Sequence, residues 1–224
     1  ENLELQLAGR YDDYSDFGST TNPKVALRWA VTDTFAVRGS WGQGFRAPSL
    51  AQVGLGPSDD SLRFVDRYWC EEQGVDPCVG LDYVIRFSGN PNLKAEESES
   101  YNFGFAWQPT DAVSIGVDYW DIKQKKKIDK VPHGFLYNEF CNVQDTTVCD
   151  RLPPLPGDTL GELLRINATY TNIGEQSVDG VDLMAKYSID VKGGAVTLGL
   201  DYTHLLDFTR VELDSAGVDL VSRD

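Results

Sequence analysis

Four cysteines carry the most reactive chemistry in this chain, at two equal spacings: Cys70 with Cys78, and Cys141 with Cys149. Neither spacing is the C-x2-C of a zinc site, and only His133 and His204 could add imidazoles, so no metal site is expected. Local disulfides Cys70–Cys78 and Cys141–Cys149, each closing a small loop, are the expected state; three pairings of four cysteines are formally open. Such bonds imply an oxidising compartment. Catalytic patterns are missing from the sequence, which holds no G-x-S-x-G, no H-E-x-x-H and no phosphate-cradling glycine loop. The expectation is no enzyme, no catalytic residue and no cofactor.

A second group with chemical potential lies between Pro48 and Pro91. Phe64, Tyr68, Trp69 and Tyr83 are interspersed there with Arg63, Arg67 and Arg86, and with acids from Asp59 to Asp82. Rings beside charges on an exposed loop suit ligand capture, because a ring gives contact area at little entropy cost. Arg63, Phe64, Arg67, Tyr68, Trp69, Tyr83 and Arg86 are therefore candidate ligand-binding residues. The alternative is a loop that packs on itself behind its disulfide. Farther on, Lys123, Lys125, Lys126 and Lys127 follow Tyr119 and Trp120. That basic run suits either lipopolysaccharide phosphates at an outer leaflet or a solvated strand end.

The elements that must position these groups are strands. Val25, Leu27, Trp29 and Val31 alternate with Ala26, Arg28 and Ala30, and Phe35, Val37, Gly39 and Trp41 alternate with Ala36, Arg38 and Ser40. The same period of two runs through Leu3–Tyr11, Tyr101–Trp107, Val113–Tyr119, Val181–Ile189 (with Met184 out of step) and Val196–Tyr202. Seven such segments mean strands with one apolar and one polar face. Arg28, Arg38, Arg46, Asp118, Lys186 and Asp201 share the polar parity, and Trp29, Trp41, Phe103, Val117, Leu183 and Leu200 the apolar one.

Connections alternate between short and long. Short turns fall at Thr32–Thr34, Gln108–Asp111 and Lys192–Gly194; long loops run over about 48–91 and 130–163, with a medium one over 12–23. Trp29, Trp107 and Tyr187 lie near one end of the apolar faces, and Trp41, Tyr119 and Tyr202 near the other. Unequal loops and two aromatic rows distinguish a transmembrane β-barrel from a disulfide-bearing secreted β-sandwich that binds ligands. The mean hydropathy is slightly negative. That suits spanning strands, which need only about 9–11 residues with every second one apolar. The net charge of −15 argues against nucleic acid, whose phosphates are bound through Lys and Arg. An odd number of strands cannot close such a barrel, so the fold expected is all-β, an antiparallel up-and-down segment of a larger barrel.

Gly44-Phe45-Arg46-Ala47-Pro48-Ser49-Leu50 resembles the "GFRAP-x-L" stretch of TonB-dependent outer-membrane receptors, found where an ascending strand leaves the membrane. Asn90-Pro91-Asn92-Leu93, with Glu96 and Tyr101, is similar to that family's opening of the next descending strand, and Arg10–Ser15 and Thr21–Lys24 resemble a further passage. The resemblance implies a 22-stranded barrel in the bacterial outer membrane, filled by an N-terminal plug. Residues 1–224 would form part of that barrel, with plug and closing strand outside the chain. It further implies energy-coupled uptake of a scarce small-molecule cargo (ferric siderophore, haem, cobalamin or oligosaccharide). The partners would be the plug, a TonB-type coupling protein reached through it, and outer-membrane lipid with lipopolysaccharide. A passive porin is the alternative if no plug exists. Joining the two motifs gives one geometric expectation: Arg46 pairs with Glu96 at the outer mouth, unless a bulge near Pro48 or Pro91 brings Glu97 or Glu99 nearer.

Overall fold

The computed structural model describes residues 2–15, 17–144, 146–213 and 219–223. In chain order the elements are β1 (Leu3–Tyr14), β2 (Gly18–Thr32), β3 (Phe35–Arg46), α1 (Leu50–Gly54), β4 (Ser58–Phe64), α2 (Arg67–Gln73) and β5 (Leu81–Ser88). There follow β6 (Glu96–Thr110), β7 (Val113–Lys130), α3 (His133–Phe140), β8 (Cys149–Arg151), β9 (Leu163–Val191), β10 (Gly194–Leu213) and β11 (Asp219–Arg223). The long strands form one antiparallel meander in the order β1-β2-β3-β6-β7-β9-β10-β11, open at both edges.

Register carries the sequence parity across the whole sheet. Leu3, Trp29, Val37, Phe105, Val117, Leu183 and Tyr202 stand in one row, each paired with the next. The adjacent row reads Glu4, Arg28, Arg38, Gly104, Asp118, Asp182 and Thr203. One face is thus apolar from edge to edge and the other charged. Met184, the residue out of step, falls in register with Asp201 on the charged face. Among the described residues no protein layer covers the apolar face: Leu3 is 59% exposed, Phe103 65% and Leu198 60%. A soluble monomer does not leave an apolar surface of this extent in water; lipid is its solvent.

Two-residue turns join the strands at one end. Lys192–Gly193 closes the last of them, between the paired Val191 and Gly194, and Gly193 takes a φ of 98° that a side chain would oppose. At the other end the sequence reading needs correction. The medium loop expected over 12–23 is ladder instead, with Gly9 opposite Pro23 and Tyr14 opposite Gly18. Strand β9 begins at Leu163, eighteen residues before its alternation becomes visible at Val181. Alternation records where lipid touches one face. Beyond the lipid β9 carries mostly polar residues on both faces over 171–180, and nearer its start Ile166 and Ala168 turn to a separate core, so the lipid signal stops while the strand does not.

The two long loops are also folded. Strand β4 pairs with β5, β5 runs parallel to the start of β9, and β8 pairs with that same segment from its other side. This second sheet carries the core that the membrane sheet lacks: Tyr83, Ile85, Leu136, Tyr137, Cys141, Cys149, Leu163, Ile166 and Ala168. Residues 163–169 of β9 thereby belong to a cap, and the rest of the strand, from Tyr170 on, belongs to the barrel wall.

Candidate functional site

The charged face of the wall holds two ion pairs set by register. Arg38 on β3 and Asp118 on β7 lie two strands apart, with Gly104 of β6 between them. The Arg38 Nε donates to Asp118 Oδ1 at 2.8 Å, and its Nη2 donates to Oδ2. A Cβ on Gly104 would stand 2.2 Å from Asp118 Oδ1 and 2.4 Å from the Val117 carbonyl oxygen. Only a residue without a side chain lets this bridge close. Higher up, Arg46 sits opposite Glu96, with Nη2 to Oε1 at 2.6 Å and Nε to Oε2 at 2.5 Å. Glu96 also accepts the Ile128 amide at 2.7 Å, so one carboxylate ties β3, β6 and β7 together. The alternatives turn the other way: Glu97 pairs with Lys126, and Glu99 accepts from Trp41 Nε1 at 2.7 Å and Tyr101 Oη at 2.9 Å. Arg28, Lys186 and Asp201 remain exposed on the charged face. Two shallow concavities lie there, one lined by Glu4, Gln6, Arg28, Arg38, Ser40 and Asn102, the other by Arg38, Ser114, Lys186 and Asp201.

The cap is fastened at its centre by charge. Asp66 and Arg151, from different loops, are 1% and 0% exposed and meet at 2.7 Å. Asp66 further accepts from Tyr137 Oη at 2.9 Å and from the second Arg151 nitrogen at 3.1 Å. Arg151 also donates to the carbonyls of Gly161 (2.8 Å) and Cys141 (2.6 Å). A buried pair needs its remaining hydrogen-bonding capacity met; here most of it is, while the Arg151 Nε is buried without a partner among the described residues. Around it Tyr68 Oη donates to the Asn138 carbonyl, Gln73 Nε2 to Asp158, and the amides of Thr159 and Leu160 to Glu72. Those two amides hold the Glu72 carboxyl below its usual range. The disulfides Cys70–Cys78 and Cys141–Cys149 are both formed, each inside one loop.

The candidate ligand residues divide accordingly. Tyr83 must leave the set: it is a core ring, 3% exposed, and burial pushes its phenol up to about 12. Phe64 packs on Tyr83 and Tyr137 with ring centroids 4.6 and 5.2 Å away, and Tyr68 lies against Tyr137 at 5.1 Å. Arg86 is held by Asp59 through two 2.6 Å bonds. Arg63 and Arg67 are exposed and Trp69 is half-buried; Arg67 donates to Asn138 at 3.1 Å.

Sequence reasoning missed Arg151 and Tyr137 entirely. Their only sequence cue is proximity to Cys149 and Cys141. It also passed over Trp120, which shares the charged-face parity of Asp118 and lies over Gly180, where a Cβ would stand 2.7 Å from its ring. An aromatic facing an open glycine across a strand pair was the available signal.

An open antiparallel sheet with a lipid-facing band, a charged inner wall and a disulfide-stapled cap at the long-loop end defines a segment of an outer-membrane β-barrel. A family model described as "TonB dependent receptor-like, beta-barrel" matches residues 1–222, and the chain belongs to that family. It is a protein of the bacterial outer membrane. The "Heme/hemopexin utilization protein C" of Haemophilus influenzae is 26% identical over 205 residues, covering 85% of this chain and 25% of that protein. The "Hemin receptor" of Yersinia pestis is 30% identical over 137 residues, covering 54% of this chain and 18% of the relative. Among solved structures, the ferric enterobactin receptor of Pseudomonas aeruginosa shares the fold with a TM-score of 0.62 at 17% identity, covering 94% of this chain and 26% of that one. The chain thus spans about a quarter of the length of the first of these relatives.

Proposed function

We propose that the whole protein is an energy-coupled outer-membrane receptor that takes up a scarce small molecule, and that this chain supplies part of its wall and its extracellular cap. The observation that carries the reading is the two-faced sheet, apolar outward and ion-paired inward, crowned by a cap built from the long loops. A plug preceding this chain would fill the 22-stranded barrel and reach the TonB-type partner. Cargo first meets Arg63, Arg67 and Trp69 on the cap, then Arg28, Lys186 and Asp201 on the wall. Haem is the first cargo to try, because it appears in the names of two relatives. Ferric siderophores and cobalamin follow from the names of others. Growth of a receptor-deletion strain, complemented with the full-length gene and supplied with one scarce nutrient at a time, tests this. Rescue that depends on the coupling protein supports the reading; equal rescue without it would indicate a passive porin.

A further inference from the structure

One stretch of the cap has its conformation set by residue type. Leu152-Pro153-Pro154-Leu155-Pro156 carries three prolines, and each ring locks φ at about −65°. A residue that precedes a proline is pushed out of the helical region, so Leu152, Pro153 and Leu155 are held extended. The run is therefore extended in the polyproline II manner, outside any helix or strand. It ends in a tight turn. The Asp158 amide donates to the Leu155 carbonyl at 3.0 Å, with Pro156 and Gly157 at the corner and Gly157 at a φ of 102°. Those residues and that sign are those of a type II turn.

Both feet of this ridge are tied down. At the first, the Leu152 amide donates to the Glu162 carbonyl at 2.8 Å, and Gln144 Nε2 donates to the Leu152 carbonyl at 3.0 Å. At the second, Gln73 Nε2 holds Asp158 at 2.7 Å, and the Glu72 carboxylate takes the amides of Thr159 and Leu160. The ridge between them stands in solvent: Leu155 is 67% exposed, Leu152 is 41% exposed, and Pro153, Pro154 and Pro156 are exposed. Among the described residues the Pro153 and Pro154 carbonyls accept no hydrogen bond. The flanking charges have one sign. Asp158 and Glu162 follow the run, Glu72 sits at its second foot, and no Lys or Arg occurs from 152 to 164.

A segment of this kind binds at little ordering cost, because the prolines restrict it before any contact is made. Its complement is a groove lined by aromatic rings, which seat the proline and leucine side chains. A ring N–H or O–H in such a groove can donate to the open carbonyls. From this geometry we propose that Pro153–Pro156 is a docking ridge for a soluble extracellular protein whose groove is lined by aromatic rings and rimmed by Lys or Arg. The basic rim follows from Glu72, Asp158 and Glu162, since complementary charge guides association and excludes wrong partners. The proposal rests on the cap facing outward and on no cargo.

The test uses the full-length receptor in nanodiscs, with a WW domain whose rim carries lysine and arginine as the probe groove. Binding is read by biolayer interferometry at low and high salt. The receptor is expected to bind the probe, more weakly as salt rises, and a probe with its groove rings replaced by alanine should not bind. The Pro154→Ser, Leu155→Ser double variant should bind about tenfold more weakly, the loss expected when the anchors of an interface are truncated. Leu155→Met keeps an apolar side chain and should retain most of the binding. Heat-modifiable migration in gels and an intact Cys141–Cys149 bond confirm that each variant is folded. No binding by the folded receptor overturns the inference, since another part of the whole barrel then covers the ridge. Equal binding by the double variant, or by the probe without its rings, overturns it as well. Cargo uptake by the double variant is expected to stay unchanged, which separates failure here from failure of the transport reading.

Discussion

Arg151 and Asp66 are joined across 85 residues of chain by a pair that water does not reach. Removing one partner leaves the other charge buried and unanswered, which costs about 3–5 kcal/mol. Arg151→Ala should therefore open the cap without unfolding the barrel. Limited proteolysis of the full-length receptor should show new cuts within 130–163 while heat-modifiable migration persists; an uncut cap would refute the assignment. Gly104→Ala should break the Arg38–Asp118 bridge by occupying the space it crosses, and an Asp118→Asn change on that background should add little further loss of thermal stability. The Arg46–Glu96 pair was legible in advance, because parity and strand direction suffice to place both ends. The Asp66–Arg151 pair was not, since both residues sit on irregular segments where no period relates number to direction.

Among the elements, the two disulfide loops look alike in sequence and differ in depth. Cys141 and Cys149 are both 0% exposed, whereas Cys78 is half-buried beside an open concavity around α2. Mild reduction of the native receptor followed by alkylation and peptide mapping should label Cys70 and Cys78 first; simultaneous labelling of all four would contradict this core. Acid should loosen a different tie. Glu72 has its carboxyl depressed by the Thr159 and Leu160 amides, so its contribution is complete above the ordinary glutamate range and disappears as pH falls through the lowered value. Amide exchange at Thr159 and Leu160, corrected for intrinsic rates, should accelerate below about pH 4. Elements inside the lipid were readable because their environment is periodic. The helices and short strands of the cap were hidden because their environment is a small, aperiodic core.

For the whole molecule, the five tryptophans give an internal test of topology. Trp29, Trp41 and Trp107 lie on the lipid face, Trp120 on the inner wall and Trp69 in the cap. Single-tryptophan versions in brominated lipid should be quenched strongly at 29, 41 and 107 and weakly at 69 and 120; strong quenching at 120 would invert the faces. One arrangement reaches beyond the single molecule. The cap takes strands and partners from both loops and from residues 163–169 of β9. Genetic exchange that replaces one loop from another receptor would import half of a salt bridge, half of a core and a foreign edge. Successful recombinants should therefore carry the stretch from Pro48 to Thr171 as a block.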